Sequence, residues 1–138
     1  VDLLYDYVTR QYTKNAFLNT GVGYVLYARD HKEFFKMIFL EDNDASGIID
    51  EMLKKLDKEI VKVPELKKLA PAERKDLLKN GWIYTHGCAV MVFAGYIKNN
   101  QDKQIIKMLA EAGPIFIEDA LRKHNADALI NTTIKEIE

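Results

Sequence analysis

Apolar residues recur at helical spacing along almost the whole chain, and no segment alternates apolar with polar residues between turn dipeptides as a half-buried strand does. Leu3, Leu4, Tyr7 and Val8 are spaced along one face. Ile48, Ile49, Met52, Leu53, Leu56 and Ile60 form a second stripe, with Lys54, Lys55, Asp57 and Lys58 outside it. This pattern restricts the chain to an all-α fold, a multi-helix bundle. At 138 residues it suits one compact domain over 1–138 without a linker. The chain starts at Val1 with a helix already under way, so a fragment of a longer protein is expected.

The spacing predicts a first helix over 2–14 with Asp2 as N-cap, and a second over 16–29 that runs through Gly21 and Gly23. A glycine inside a helix costs about 1 kcal/mol relative to alanine, so a close helix crossing or a bend is expected at these two. Residues 31–40 carry Phe34, Phe35, Ile38 and Phe39, and the polar run 41–44 then caps a helix over 44–63. A connection over 64–69 leads to Pro71 and Glu73, the first turn of a long helix predicted to reach residue 98, with Gly81 as the place where it would break. Asn100 is read as the cap of a final helix from 101, kinked at Gly113-Pro114 before 115–124. The tail from 125 reads equally as helix or frayed end.

Several function classes lose support at once. A formal net charge of −1 does not suit a free nucleic-acid-binding module, which needs surplus cations on one face. The densest basic stretch, 54–79, interleaves nine Lys or Arg with five acids and reads as a solvated helix face. The single cysteine, Cys88, sits among apolar neighbours and cannot form an internal disulfide, so a buried thiol in a reducing, cytoplasmic setting is expected. The apolar stretch 88–95 falls far short of the roughly 20 residues of a membrane span.

Chemistry is equally sparse. His31, His86 and His124 lack a second ligand at i+4, so no metal is expected. His86 and Cys88 point about 200° apart on a helix, too far round to act as a nucleophile and base pair. Gly21-Val22-Gly23 follows no strand and lacks a third glycine, which removes a dinucleotide cofactor. Glu41, Asp42 and Asp44 lack the loop of a calcium site and stand where a helix cap is wanted. No cofactor is expected, and no enzyme.

The unusual segment is 81–96, apolar on nearly all sides and therefore expected to be surrounded. Trp82, His86, Ala89 or Val90, and Phe93 share one face; Gly87, Met91, Ala94, Gly95 and Lys98 share a neighbouring one. Two readings fit: a central core helix, or a helix that gives its aromatic face to a pocket and its small-residue face to another subunit.

Trp82 followed by His86-Gly87 in a long penultimate helix, together with 23–29 (GYVLYAR) and 34–39 (FFKMIF), resembles the C-terminal domain of the tetracycline-repressor-like (TetR) family of bacterial transcriptional regulators. The resemblance covers about residues 3–121 and rests on three anchors in the family's order. It implies an effector-binding and dimerisation domain of a repressor, with DNA contacted only through an N-terminal helix-turn-helix domain that this chain lacks. It implies a homodimer through the last two long helices, with Met91, Gly95, Ile105, Met108, Leu109, Ala112 and Phe116 at the interface. It also implies a cavity for a small lipophilic or aromatic effector, lined by Tyr24, Tyr27, Phe35, Trp82 and His86, with core packing as the other reading of each and the favoured one for Phe35. The Gly113-Pro114 pair and the tail 125–138 depart from the family's pattern. The alternative from another class is a helical protein interaction module without a ligand.

Overall fold

In the computed structural model, which describes residues 2–41 and 44–137, the chain is an all-α bundle, and no strand occurs among the described residues. The helices are α1 (Asp2–Thr9), α2 (Ala16–Asp30), α3 (Lys32–Phe35), α4 (Ser46–Ile60), α5 (Pro71–Phe93) and α6 (Asp102–Ile137). A π-helical turn, Lys36–Leu40, continues α3, and a 3-10 turn, Pro64–Lys68, joins α4 to α5.

The surrounded helix is α2, not α5. Val22, Gly23, Tyr24, Val25, Leu26, Tyr27 and Ala28 are consecutive and all buried, because α1, α3, α4, α5 and α6 pack around them. A helix buried all round needs close approach somewhere, and Gly23 supplies it. A methyl at that position would fall on the Tyr7 carbonyl and within 2.7 Å of Val8 Cα, so α1 crosses α2 backbone to backbone. The expectation of a tight crossing for this glycine is met.

Helix ends differ from the sequence-based expectation for local reasons. The first helix stops at Thr9 rather than residue 14 because the polar residues after it form their own network. Asn19 Oδ1 accepts from Thr13 N and Oγ1 at 2.8 and 2.7 Å, and Asn15 Oδ1 caps α2 by accepting from Leu18 N at 3.1 Å. Asp2 is the first residue of α1 rather than its cap. The fourth helix starts at Ser46, whose N–H and hydroxyl both donate to Asp44 Oδ1, at 3.2 and 2.6 Å. Asp42 and Asn43, assigned to the same capping run, lie outside the described residues.

The fifth helix runs unbroken through Gly81, and Glu73 Oε1 fixes its first turn by accepting from Ala70 N at 2.8 Å. That bond, with a smaller contribution from His124, holds the Glu73 carboxyl below its usual range. The helix ends at Phe93, short of the expected residue 98, in a Schellman turn: Gly95 N donates to Val92 O, Tyr96 N to Met91 O, and Gly95 takes φ 77°. Gly95 and Lys98 therefore lie past the helix. The sixth helix starts at Asp102, because the Gln101 carbonyl takes its first bonds while the Asn100 carbonyl accepts from Arg29 Nη1 at 2.8 Å. It continues through Pro114 to Ile137. Pro114 and Ala110 are both exposed, so the carbonyl that the proline leaves without its helical partner faces water.

Candidate functional site: an apolar internal space behind Trp82

The inner faces of α2, α4, α5 and α6 border a small, partly open space lined by Phe17, Gly21, Tyr24, Trp82, Thr85 and Leu109, among others. It is built around three glycines on three helices. A methyl on Gly21 would meet Leu109 Cδ1 at 3.1 Å and Thr85 Oγ1 at 3.3 Å; one on Gly81 would meet the Phe17 ring at 3.0 Å; one on Gly113 would meet Leu18 Cδ1 at 3.0 Å. The space holds about 40 Å³, room for a few water molecules. Among the described residues, no Asp, Glu, Lys, Arg or His lines it.

Trp82 is shared with a second, open groove of about 340 Å³ on the outer side, bordered by Ile38 and Phe39 of the π-helical turn, Glu41, Asp44, Ile49 and His86. The indole thus borders both the inner space and the surface groove. Around it lies an aromatic cluster. The His86 ring is 5.5 Å from Trp82, 5.9 Å from Phe35 and 6.0 Å from Tyr24; the Tyr24 ring is 5.7 Å from Phe35 and 5.2 Å from Phe39.

Two polar groups in this cluster satisfy each other and a third is left over. The Tyr24 hydroxyl lies 2.7 Å from His86 Nδ1. Burial pushes the Tyr24 pKa far above its ordinary value and lowers that of His86, so both are neutral near pH 7. With the tyrosine O–H donating to Nδ1, the imidazole carries its proton on Nε2. The Trp82 indole N–H approaches the Tyr24 hydroxyl, and this hydrogen-bonding contact opposes part of the rise, but it falls outside good hydrogen-bond geometry and leaves the buried Nε1–H without a well-formed partner.

The five residues assigned to a cavity divide accordingly. Tyr24 and Trp82 line the internal space, and Trp82 and His86 line the groove. Tyr27 and Phe35, 1% and 0% exposed, line neither space and are core. Tyr27 is on the far side of the site, its ring 5.7 Å from Tyr7 and 5.5 Å from His31. Sequence reasoning missed Gly21, Gly81 and Gly113 as walls of one space. The signal was there, since helix-interior glycines are costly, but it read as crossings, breaks and kinks within single helices.

The proposed interface residues divide as well. Ile105 and Leu109, 1% and 4% exposed, face the chain's own core and are closed to a partner. Met91 is 48% exposed, and Met108, Ala112 and Phe116 are half-buried. The structure adds Ile83, Tyr84 and Ile115, exposed at 61%, 37% and 63%, with the Tyr84 and Phe116 rings 5.8 Å apart across α5 and α6. An apolar strip therefore runs over both helices. Beyond it, Leu129, Ile130, Ile134 and Ile137 stand exposed on the last turns of α6.

The class that the fold defines is an all-α, multi-helix bundle. Compared with family models, with curated proteins and with solved structures, the chain finds no match. No helix of the described residues is long and apolar enough to cross a membrane, and no group of three or more metal-ligating side chains occurs among them.

Proposed function

We propose that the chain is the effector-binding and self-associating part of a TetR-like transcriptional regulator, with an uncharged lipophilic or aromatic effector held behind Trp82. The observation that carries the ligand reading is an apolar internal space whose wall includes a buried indole N–H without a partner. Buried donors are almost always paired, so an unpaired one beside a space leaves room for a partner there. Joined across Trp82, the inner space and the outer groove reach the few hundred Å³ that small-molecule sites occupy. The exposed apolar side chains of α5 and α6 support self-association, since apolar surface gathered on one face is what an interaction face presents. DNA contact belongs to a separate domain of the parent protein in this reading.

An effector regulates only if it binds one helix arrangement better than another. An indole that must move to admit the ligand provides such a difference. The site is tested with N-phenyl-1-naphthylamine, an uncharged aromatic probe that fluoresces on leaving water. Saturable binding of one probe per chain is expected. The Gly21→Ala methyl overfills the inner space and weakens binding at least about tenfold while helicity is kept. Absent binding, or binding that Gly21→Ala leaves unchanged, would sink the ligand reading. One observation favours a second reading, a helical protein interaction module: with Trp82 in place the interior is almost filled.

A further inference from the structure

We infer that the Trp82 indole N–H is the recognition donor of this site, reading a hydrogen-bond acceptor on an uncharged, mainly apolar ligand, and that the indole ring is the movable partition the ligand passes. The inference rests on the effector-site reading above and adds to it the ligand's chemistry and its route.

Among the described residues, the Trp82 indole N–H is the buried donor bordering the inner space that has no partner in hydrogen-bond geometry. The Thr20 hydroxyl donates to Phe17 O at 2.7 Å, and the Tyr24 hydroxyl is paired with His86 Nδ1 at 2.7 Å. The other orphaned buried polar atom, the Tyr5 hydroxyl, belongs to a ring covered by Lys55 Nζ at 3.8 Å and does not line the space. A tryptophan N–H normally finds a partner when buried. Here the ligand supplies it. The acceptor end, which reaches the inner space, has to be uncharged, because among the described residues no charged side chain lines that space; Glu41 and Asp44 border only the outer groove.

The route follows from what Trp82 separates. An internal space of about 40 Å³ cannot hold even one aromatic ring beside the indole, whereas the groove outside it holds about 340 Å³. Swinging the indole outward joins the two. The groove's opposite wall is the π-helical turn Lys36–Leu40, closed by Glu41 N donating to Lys36 O at 3.0 Å, and such wide turns occur often at functional sites. Gly21 then sets the depth, because it lines the inner end of the joined space, where a methyl would already press on Leu109 Cδ1 at 3.1 Å and Thr85 Oγ1 at 3.3 Å.

Trp82 is the only tryptophan in the chain, so a ¹⁵N-labelled sample gives a single indole N–H resonance that reports on this atom alone. Three probes separate the claims: acetophenone; α-methylstyrene, which has the same shape with a methylene in place of the oxygen; and benzoate, which is charged. Acetophenone is expected to move the indole resonance downfield saturably and to bind roughly tenfold more tightly than α-methylstyrene. Benzoate is expected not to bind. Trp82→Phe keeps an aromatic partition without the donor, so acetophenone loses its advantage and α-methylstyrene keeps its affinity. Equal affinity of the two neutral probes with an unmoved indole resonance overturns the donor role. If Gly21→Ala then abolishes both, the effector site itself survives. Benzoate binding as tightly as acetophenone overturns the uncharged class. Failure of both neutral probes, or binding untouched by Gly21→Ala, overturns the inference and the effector site together.

Discussion

Phe35→Ala is expected to remove about 4 kcal/mol of folding stability. The ring is fully buried, 0% exposed, and its neighbours are other rings: Tyr24 at 5.7 Å, Phe39 at 5.4 Å, Phe93 at 5.8 Å and His86 at 5.9 Å. Truncation takes apolar area out of contact and leaves a hole that these rings, held on α2, α5 and the π-helical turn, cannot close together. A whole domain of this size is stable by about 5 to 15 kcal/mol, so the variant would unfold at much lower urea. Urea titrations followed by circular dichroism measure the loss, with an unchanged slope confirming that the unfolded states compare. A loss below about 1 kcal/mol would mean that the ring faces open space and would return Phe35 to the ligand site.

Gly23→Ala is expected to be the most damaging single-methyl addition, at about 3 kcal/mol despite the roughly 1 kcal/mol that alanine contributes inside a helix. The obstacle is backbone: the Tyr7 carbonyl, with Val8 Cα within 2.7 Å. A side chain could rotate away, but a helix axis has to shift. Gly21→Ala, two residues earlier, is the matched control. Its methyl meets the ends of Leu109 and Thr85, which can move. Thermal unfolding of the pair should show a large fall for Gly23→Ala and little change for Gly21→Ala. Similar midpoints for both would contradict the backbone crossing of α1 and α2.

The helical period was sufficient to read the fold class and the existence of all the main helices. The ends were less legible, because they depend on side chains that hydrogen-bond locally: Asn15 and Asn19 stop α1 early, and Gly95 stops α5 early. Which helix lies at the centre was not legible at all. Residues 81–96 are apolar on nearly all sides, yet Ile83, Tyr84 and Met91 remain exposed, while α2 carries Asn19 and Thr20 and is enclosed. Those two polar side chains are buried because each finds a hydrogen bond, which apolar periodicity does not register.

The same limit explains the mixed result for the site. Tyr24, Trp82 and His86 meet as the sequence suggests, at a place where two helices bring aromatic faces together. Tyr27 shares α2 with Tyr24 but turns to α1, since three positions on a helix shift direction by about 60° and a thin wall decides between pocket and core. Ile105 and Leu109 have the spacing of an interface stripe and pack inward for the same reason.

The most direct test of the central claim, that this bundle presents the α5 and α6 strip to a second copy of itself, is the mass in solution by light scattering over a hundredfold range of concentration, for the unaltered chain and for Ile115→Lys. Ile115 is 63% exposed, so the lysine leaves the core of one chain intact and acts only on a partner. The account predicts twice the 15.9 kDa of one chain for the unaltered protein, falling to the single-chain mass in the variant. A single-chain mass at every concentration, or a dimer that Ile115→Lys leaves intact, would contradict it.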